Sequence, residues 1–107
     1  MNDENERINI NIERMFPEAA RRVRVLAELK RSWASVVGIR AARHSWPSVL
    51  GVNAIAVNVD SDNAAMEIRK SKGNIMRALS SRYGYKTNEE FMLEIEKGIH
   101  RNKYTSK

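Results

Sequence analysis

The first long segment of the chain has its apolar residues spaced three to four apart, which is typical of an amphipathic helix. Pro17 suits the first turn of that helix, and Gly38 suits its C-terminal cap. The pattern predicts a helix over residues 18–37. Its apolar face would carry Val23, Leu26, Leu29, Trp33, Val36 and Val37.

After Gly38 the apolar residues recur at every second position, which indicates strands. The pattern predicts a first strand over residues 41–47, at a sheet edge because Pro47 has no N–H to donate to a neighbouring strand. The clearest alternation predicts a second strand over 54–60, and a third is predicted over 91–97. The second strand would bury one face, made of Ile55, Val57 and Val59.

Between the second and third strands the apolar spacing is again helical. Because a glycine inside a helix costs about 1 kcal/mol relative to alanine, we interpret Gly73 as a break between two helices, over 62–71 and 74–83. The resulting α-β-β-α-α-β order predicts an α+β fold, with a small three-stranded sheet covered by helices on one face. Type II KH-like domains have the same order, and their helix–helix turn approaches nucleic-acid phosphates.

The length of 107 residues accommodates one domain, predicted over residues 17–98. Residues 1–16 are predicted to be an N-terminal segment, flexible or dependent on a partner, because their isoleucines fit a strand and a helix equally well. Residues 99–107 are predicted to be a basic tail.

The net charge of +6 is concentrated in two blocks, residues 19–47 and 64–88. A short segment whose only charged side chains are two aspartates separates them. The two blocks would form a phosphate-binding surface if they met in space, and solvated helix faces if they did not.

No catalytic or metal-binding arrangement stands out in the sequence. The chain has no cysteine, and His44 and His100 lie far apart. His44 and Ser45 would point to opposite faces of a strand, so they would not form a nucleophile–base pair. A phosphate-binding GxxxxGK[ST] loop is absent from the sequence. We therefore expect no enzymatic activity, no cofactor and no metal.

The absence of cysteine fits a reducing compartment, and the acidic start does not resemble a secretory signal. No stretch has the roughly 18–20 apolar residues of a membrane span. These features predict a cytoplasmic protein that does not enter a membrane.

The candidate nucleic-acid-binding residues are Lys70, Lys72 and Arg77, which flank Gly73 and the start of a helix. Arg40 and Arg43 would extend this patch from the first strand. The alternative is a solvated turn that happens to be rich in lysine.

The two tryptophans are predicted to have different roles. Trp33 lies on the apolar face of the first helix and should be part of the core. Trp46 is a packing residue if Ala42, His44 and Trp46 face the core. Otherwise its ring is free to stack on a base or on a partner side chain.

One extended motif runs through the helix, both strands and the following helix start: Leu29-x-x-x-Trp33-x-x-Val36-Val37-Gly38, Ala42-x-His44-Ser45-x-Pro47-x-x-Leu50 and Ile55-x-Val57-x-Val59-x-Ser61-x-x-x-Ala65-x-x-Ile68-Arg69. This combination resembles the bacterial domain-of-unknown-function family 721, which includes the DciA proteins. The similarity covers about residues 20–98, although Lys70-Ser71-Lys72-Gly73 stands where true KH domains have GxxG.

The resemblance implies a KH-like domain that binds single-stranded DNA and helps to load the replicative helicase DnaB. The charge pattern is also compatible with single-stranded RNA. A protein-interaction module without direct nucleic-acid binding is the alternative function. The salt dependence of binding distinguishes these two functions, because an affinity that comes from phosphate neutralisation falls steeply as the salt concentration rises.

Overall fold

A computed structural model of the protein describes residues 14–88 and 90–98. The predicted tail, 99–107, lies outside these ranges, as do residues 1–13 of the predicted N-terminal segment. The elements run in the order α1 (Pro17–Arg31), α2 (Trp33–Val37), α3 (Ile39–Ala42), β1 (Ser45–Leu50), β2 (Ala54–Val59), α4 (Asp62–Lys70), α5 (Lys72–Tyr83) and β3 (Met92–Lys97). Within the described ranges, none of these helices is both long and apolar enough to span a bilayer.

The three strands form one mixed sheet in the order β1-β2-β3. β1 and β2 are antiparallel, whereas β2 and β3 are parallel and connected through α4 and α5. β1 is an edge strand, as Pro47 predicted, and its register with β2 shifts between Pro47 and Val49. The α+β class and the KH-like element order are confirmed.

The core lies between one face of this sheet and the helices. In β2, the predicted buried face is confirmed, since its three apolar side chains have at most 1% of their surface exposed. Burying each such side chain contributes about 1.5–3 kcal/mol, so this central strand anchors the two layers. The helices contribute Val25, Leu29, Trp33, Val36, Ile68, Ile75 and Leu79 to the same core.

The predicted helix over 18–37 is in fact divided at Ser32 into α1 and α2. The Ser32 N–H donates to Glu28 O, and its hydroxyl shares a 2.6 Å hydrogen bond with the Tyr83 hydroxyl. This side-chain tie joins the break to the end of α5. The predicted apolar face was also wrong at one position, because Val23 is 68% exposed and Val25 is buried in its place.

The prediction of a strand over 41–47 is wrong at its start. Residues 39–42 form the short helix α3, whose last turn is closed by a hydrogen bond from His44 N–H to Ala41 O. The strand begins at Ser45 and continues to Leu50, three residues beyond the predicted end. The apparent alternation before Ser45 was too short to distinguish a strand from one helical turn.

The break between α4 and α5 lies at Ser71 rather than at Gly73. The Ser71 side chain is buried, and its hydroxyl and N–H both donate to Glu67 O. A serine that bonds back to the preceding turn ends α4, while Gly73 is an ordinary residue in the first turn of α5.

Two glycine-to-alanine substitutions are expected to have opposite effects on stability. Gly38, between α2 and α3, has φ 96° and ψ 151°, a conformation nearly exclusive to glycine, so Gly38→Ala should lower the free energy of unfolding by about 1–3 kcal/mol. Gly73→Ala should raise it by about 0.5–1 kcal/mol, because alanine is the better helix former. An added Cβ meets no atom within 4 Å at either site, so backbone conformation alone decides whether the free energy of unfolding rises or falls. Urea denaturation measures both, and equal effects would contradict the backbone assignment.

Candidate nucleic-acid interface

The turn between α4 and α5 presents two of the predicted cationic residues. Lys70 is the last residue of α4 and Lys72 the first of α5, and both are exposed. Only the buried Ser71 separates them, and its two hydrogen bonds to Glu67 O fix the course of the chain. The fold therefore places these ammonium groups on either side of one tight turn.

Arg77 lies further along α5, in a groove between α2 and α5. Its Nη1 donates a 2.9 Å hydrogen bond to Asn74 Oδ1, one helical turn earlier. The groove has a volume of about 320 Å³. It is lined by Ser35, Val36, Asn74, Arg77, Ala78, Ser81 and Arg82.

Arg82 is the second arginine in this groove, and the sequence alone did not mark it as a candidate. Its Nη1 donates a 2.9 Å hydrogen bond to Ser35 Oγ on α2, 47 positions away in the chain. No local signal marks this contact, because it depends on how α2 packs against α5. Its place in the second basic block was the one available indication.

Arg40 lies in a different cleft, between α3 and α4, with a volume of about 660 Å³. This larger cleft also contains Asp60 and Glu67, and His44 Nδ1 is 3.0 Å from Asp60 Oδ2. Two carboxyl groups beside one guanidinium make the cleft less favourable for phosphate than the groove between α2 and α5. Arg40 thus lines a cleft separate from the groove that contains Arg77, and its part in a nucleic-acid surface stays a prediction.

Arg43 and Trp46 complete the predicted set. Arg43 is exposed and caps the C-terminal end of α3. In β1 the core-facing side chains are Ser45 and Pro47, so Trp46 points to the outer face of the sheet, opposite the helices, and is half-buried. The packing interpretation, in which Ala42, His44 and Trp46 shared the core face, is wrong. The predicted residues are thus divided among the turn, two clefts, the C-terminal end of α3 and the outer face of the sheet.

His44 and Ser45 form no catalytic pair. The Ser45 hydroxyl is buried, donates to Ala41 O over 2.7 Å and accepts from Trp33 Nε1 over 2.9 Å, whereas His44 is exposed beside Asp60. Across residues 14–88 and 90–98, no group of three or more histidine or acidic side chains is placed to hold a metal ion.

The outer face of the sheet carries exposed apolar side chains. Val49 is 58% exposed and Met92 is 56% exposed, and Val52 lies in the adjoining turn. Near the other end of β2, the buried Asn58 Oδ1 has no hydrogen-bond partner among residues 14–88 and 90–98. An exposed apolar set of this kind is typical of surfaces that contact other proteins.

Fold and surface together define a small α+β protein of KH-like order with exposed cations on its helical layer. The family model for DciA, described as Dna[CI] antecedent, DciA, matches residues 10–90, and the chain belongs to this family. Its role is therefore related to helicase loading in replication, as an accessory protein of a family not known as enzymes. The predicted resemblance is confirmed. No curated protein and no solved structure matches the chain.

Proposed function

We propose that the protein binds single-stranded DNA through its basic helical layer and assists the loading of the replicative helicase DnaB in the cytoplasm. The observation that carries this proposal is the pair of exposed lysines, Lys70 and Lys72, held on either side of the turn between α4 and α5. Membership of the DciA family supports the helicase part of the proposal.

Binding would be electrostatic and independent of base sequence. A lysine ammonium is a compact point charge on a flexible stem, and it follows a mobile phosphate chain without a fixed geometry. The turn also lacks the GxxG sequence with which a KH domain clamps nucleotides, so Lys70 and Lys72 contribute charge rather than shape. Single-stranded RNA offers the same phosphates and is expected to compete with DNA.

The test is a titration of fluorescent single-stranded (dT)20 and (dA)20 at several salt concentrations. Each phosphate contact contributes about 0.7 to the slope of log affinity against log salt, so Lys70, Lys72 and Arg77 together predict a slope of about −2. Both oligonucleotides should bind with similar affinity. A slope near zero would contradict the proposal.

The helicase part needs a separate measurement. Adding the protein to DnaB and labelled single-stranded DNA should increase the amount of helicase bound to the strand. The outer face of the sheet, with Val49 and Met92 exposed, favours the alternative function of a protein-interaction module. Binding to DnaB without any binding to DNA would establish that alternative.

A further inference from the structure

We infer that the groove between α2 and α5 is a phosphate-binding site in which Arg77 and Arg82 each contact a phosphate group of a single nucleic-acid strand. This inference rests on the proposed function and assigns it a definite site. None of the described residues that line the groove is acidic, and two of them are arginines. The remaining polar lining consists of hydroxyl and amide groups, which also bind phosphate oxygens.

Both guanidinium groups are oriented by neutral partners. Arg82 donates to the Ser35 hydroxyl, and Arg77 donates to the side-chain amide oxygen of Asn74, each over 2.9 Å. A guanidinium has five N–H donors, so one such bond leaves others for a ligand. Because neither partner is charged, the positive charge is retained, and because each side chain is already held, less conformational entropy is lost on binding.

Three other cations on the described surface lie near carboxylates. Arg31 forms a 2.6 Å ion pair with Glu28, and Lys97 forms a 3.1 Å ion pair with Asp62. Arg40 shares its cleft with two acidic residues. The groove between α2 and α5 thus combines paired arginines, ready donors and an acid-free lining, which favours it over these positions.

The experiment compares Arg77→Gln, Arg82→Gln and the double variant with Lys97→Gln, a control that removes one exposed cation on β3. Affinity for fluorescent (dT)20 is measured between 0.1 M and 1 M salt. A contact that contributes about 0.7 to the slope of log affinity against log salt strengthens binding about fivefold at 0.1 M salt relative to 1 M salt. Each single variant should therefore lose about fivefold and the double variant about 25-fold, with slopes lower by about 0.7 and 1.4. Lys97→Gln should change affinity by less than twofold.

Arg82 also ties α5 to α2, so a purely structural role must be distinguished. Arg82→Lys retains the charge without the planar fork, and we expect the parent salt slope with a two- to threefold loss of affinity. Thermal unfolding of every variant is recorded in parallel. A lower melting temperature with unchanged affinity and slope would show a structural tie and overturn the site.

The (dT)20 titration distinguishes an error in the assigned site from an error in the proposed function. If the parent binds (dT)20 and the arginine variants bind equally well with the same slope, the groove is wrong and the proposed function stands. If the parent does not bind (dT)20, the proposed function fails, and inorganic phosphate becomes the probe. Shifts of the Arg77 and Arg82 side-chain N–H resonances on phosphate addition would then support the groove, and their absence would overturn it.

Discussion

Replacing Trp33 by alanine is expected to lower the free energy of unfolding by about 3–5 kcal/mol. The indole is only 4% exposed and belongs to the core between α2 and the sheet. Its removal loses the transfer free energy of a large side chain and leaves a cavity that close-packed neighbours fill only in part. With total stabilities of about 5–15 kcal/mol, this substitution brings the protein close to unfolding.

The hydrogen bond of the indole is a smaller part of this cost. Trp33 Nε1 donates to Ser45 Oγ, but Ser45 still donates to Ala41 O when the indole is absent. Trp46→Ala provides the matched control, because the same side chain is removed from the half-buried outer face of the sheet. We expect less than half the loss there. Urea denaturation of both variants measures the difference, and equal losses would contradict the assignment of Trp33 to the core.

The fold was predictable where a periodic pattern persisted over many residues. β2 alternates cleanly over six positions, and the structure buries the predicted face. The errors lie in the short segments around Gly38, where α3 has only four residues and is closed by three backbone hydrogen bonds, from the N–H groups of Ala42, Arg43 and His44. The break at Ser32 was missed because the side chain that it contacts, Tyr83, comes from 51 positions away.

The candidate site was predictable to the extent that it is local. Lys70 and Lys72 were identified because the turn that exposes them is encoded within a few residues. Arg82 was not singled out, because its partner Ser35 comes from another helix. The orientation of Trp46 was undecided because a shift of one residue in register exchanges the two faces of a strand.

Neutralising Lys70, Lys72 and Arg77 together should weaken the binding of single-stranded DNA by about 25- to 125-fold at 0.1 M salt. This range corresponds to two or three phosphate contacts at a slope of about 0.7 each. The salt slope should fall by about 1.4 to 2.1, equally for (dT)20 and (dA)20, because phosphate contacts carry no sequence information. The measurement is fluorescence anisotropy of the labelled strand over a salt series.

The fold should survive this change, since all three side chains are exposed and such substitutions typically alter stability by about 0.5 kcal/mol or less. An equal neutralisation of Arg101, Lys103 and Lys107 in the tail provides the control. If the tail variant loses binding and the turn variant does not, the DNA contact belongs to the terminus and the analogy with a KH-like turn fails. If neither variant changes affinity, the charge of the turn has no role in DNA binding, and contact with a protein through the outer face of the sheet becomes the better account of the function.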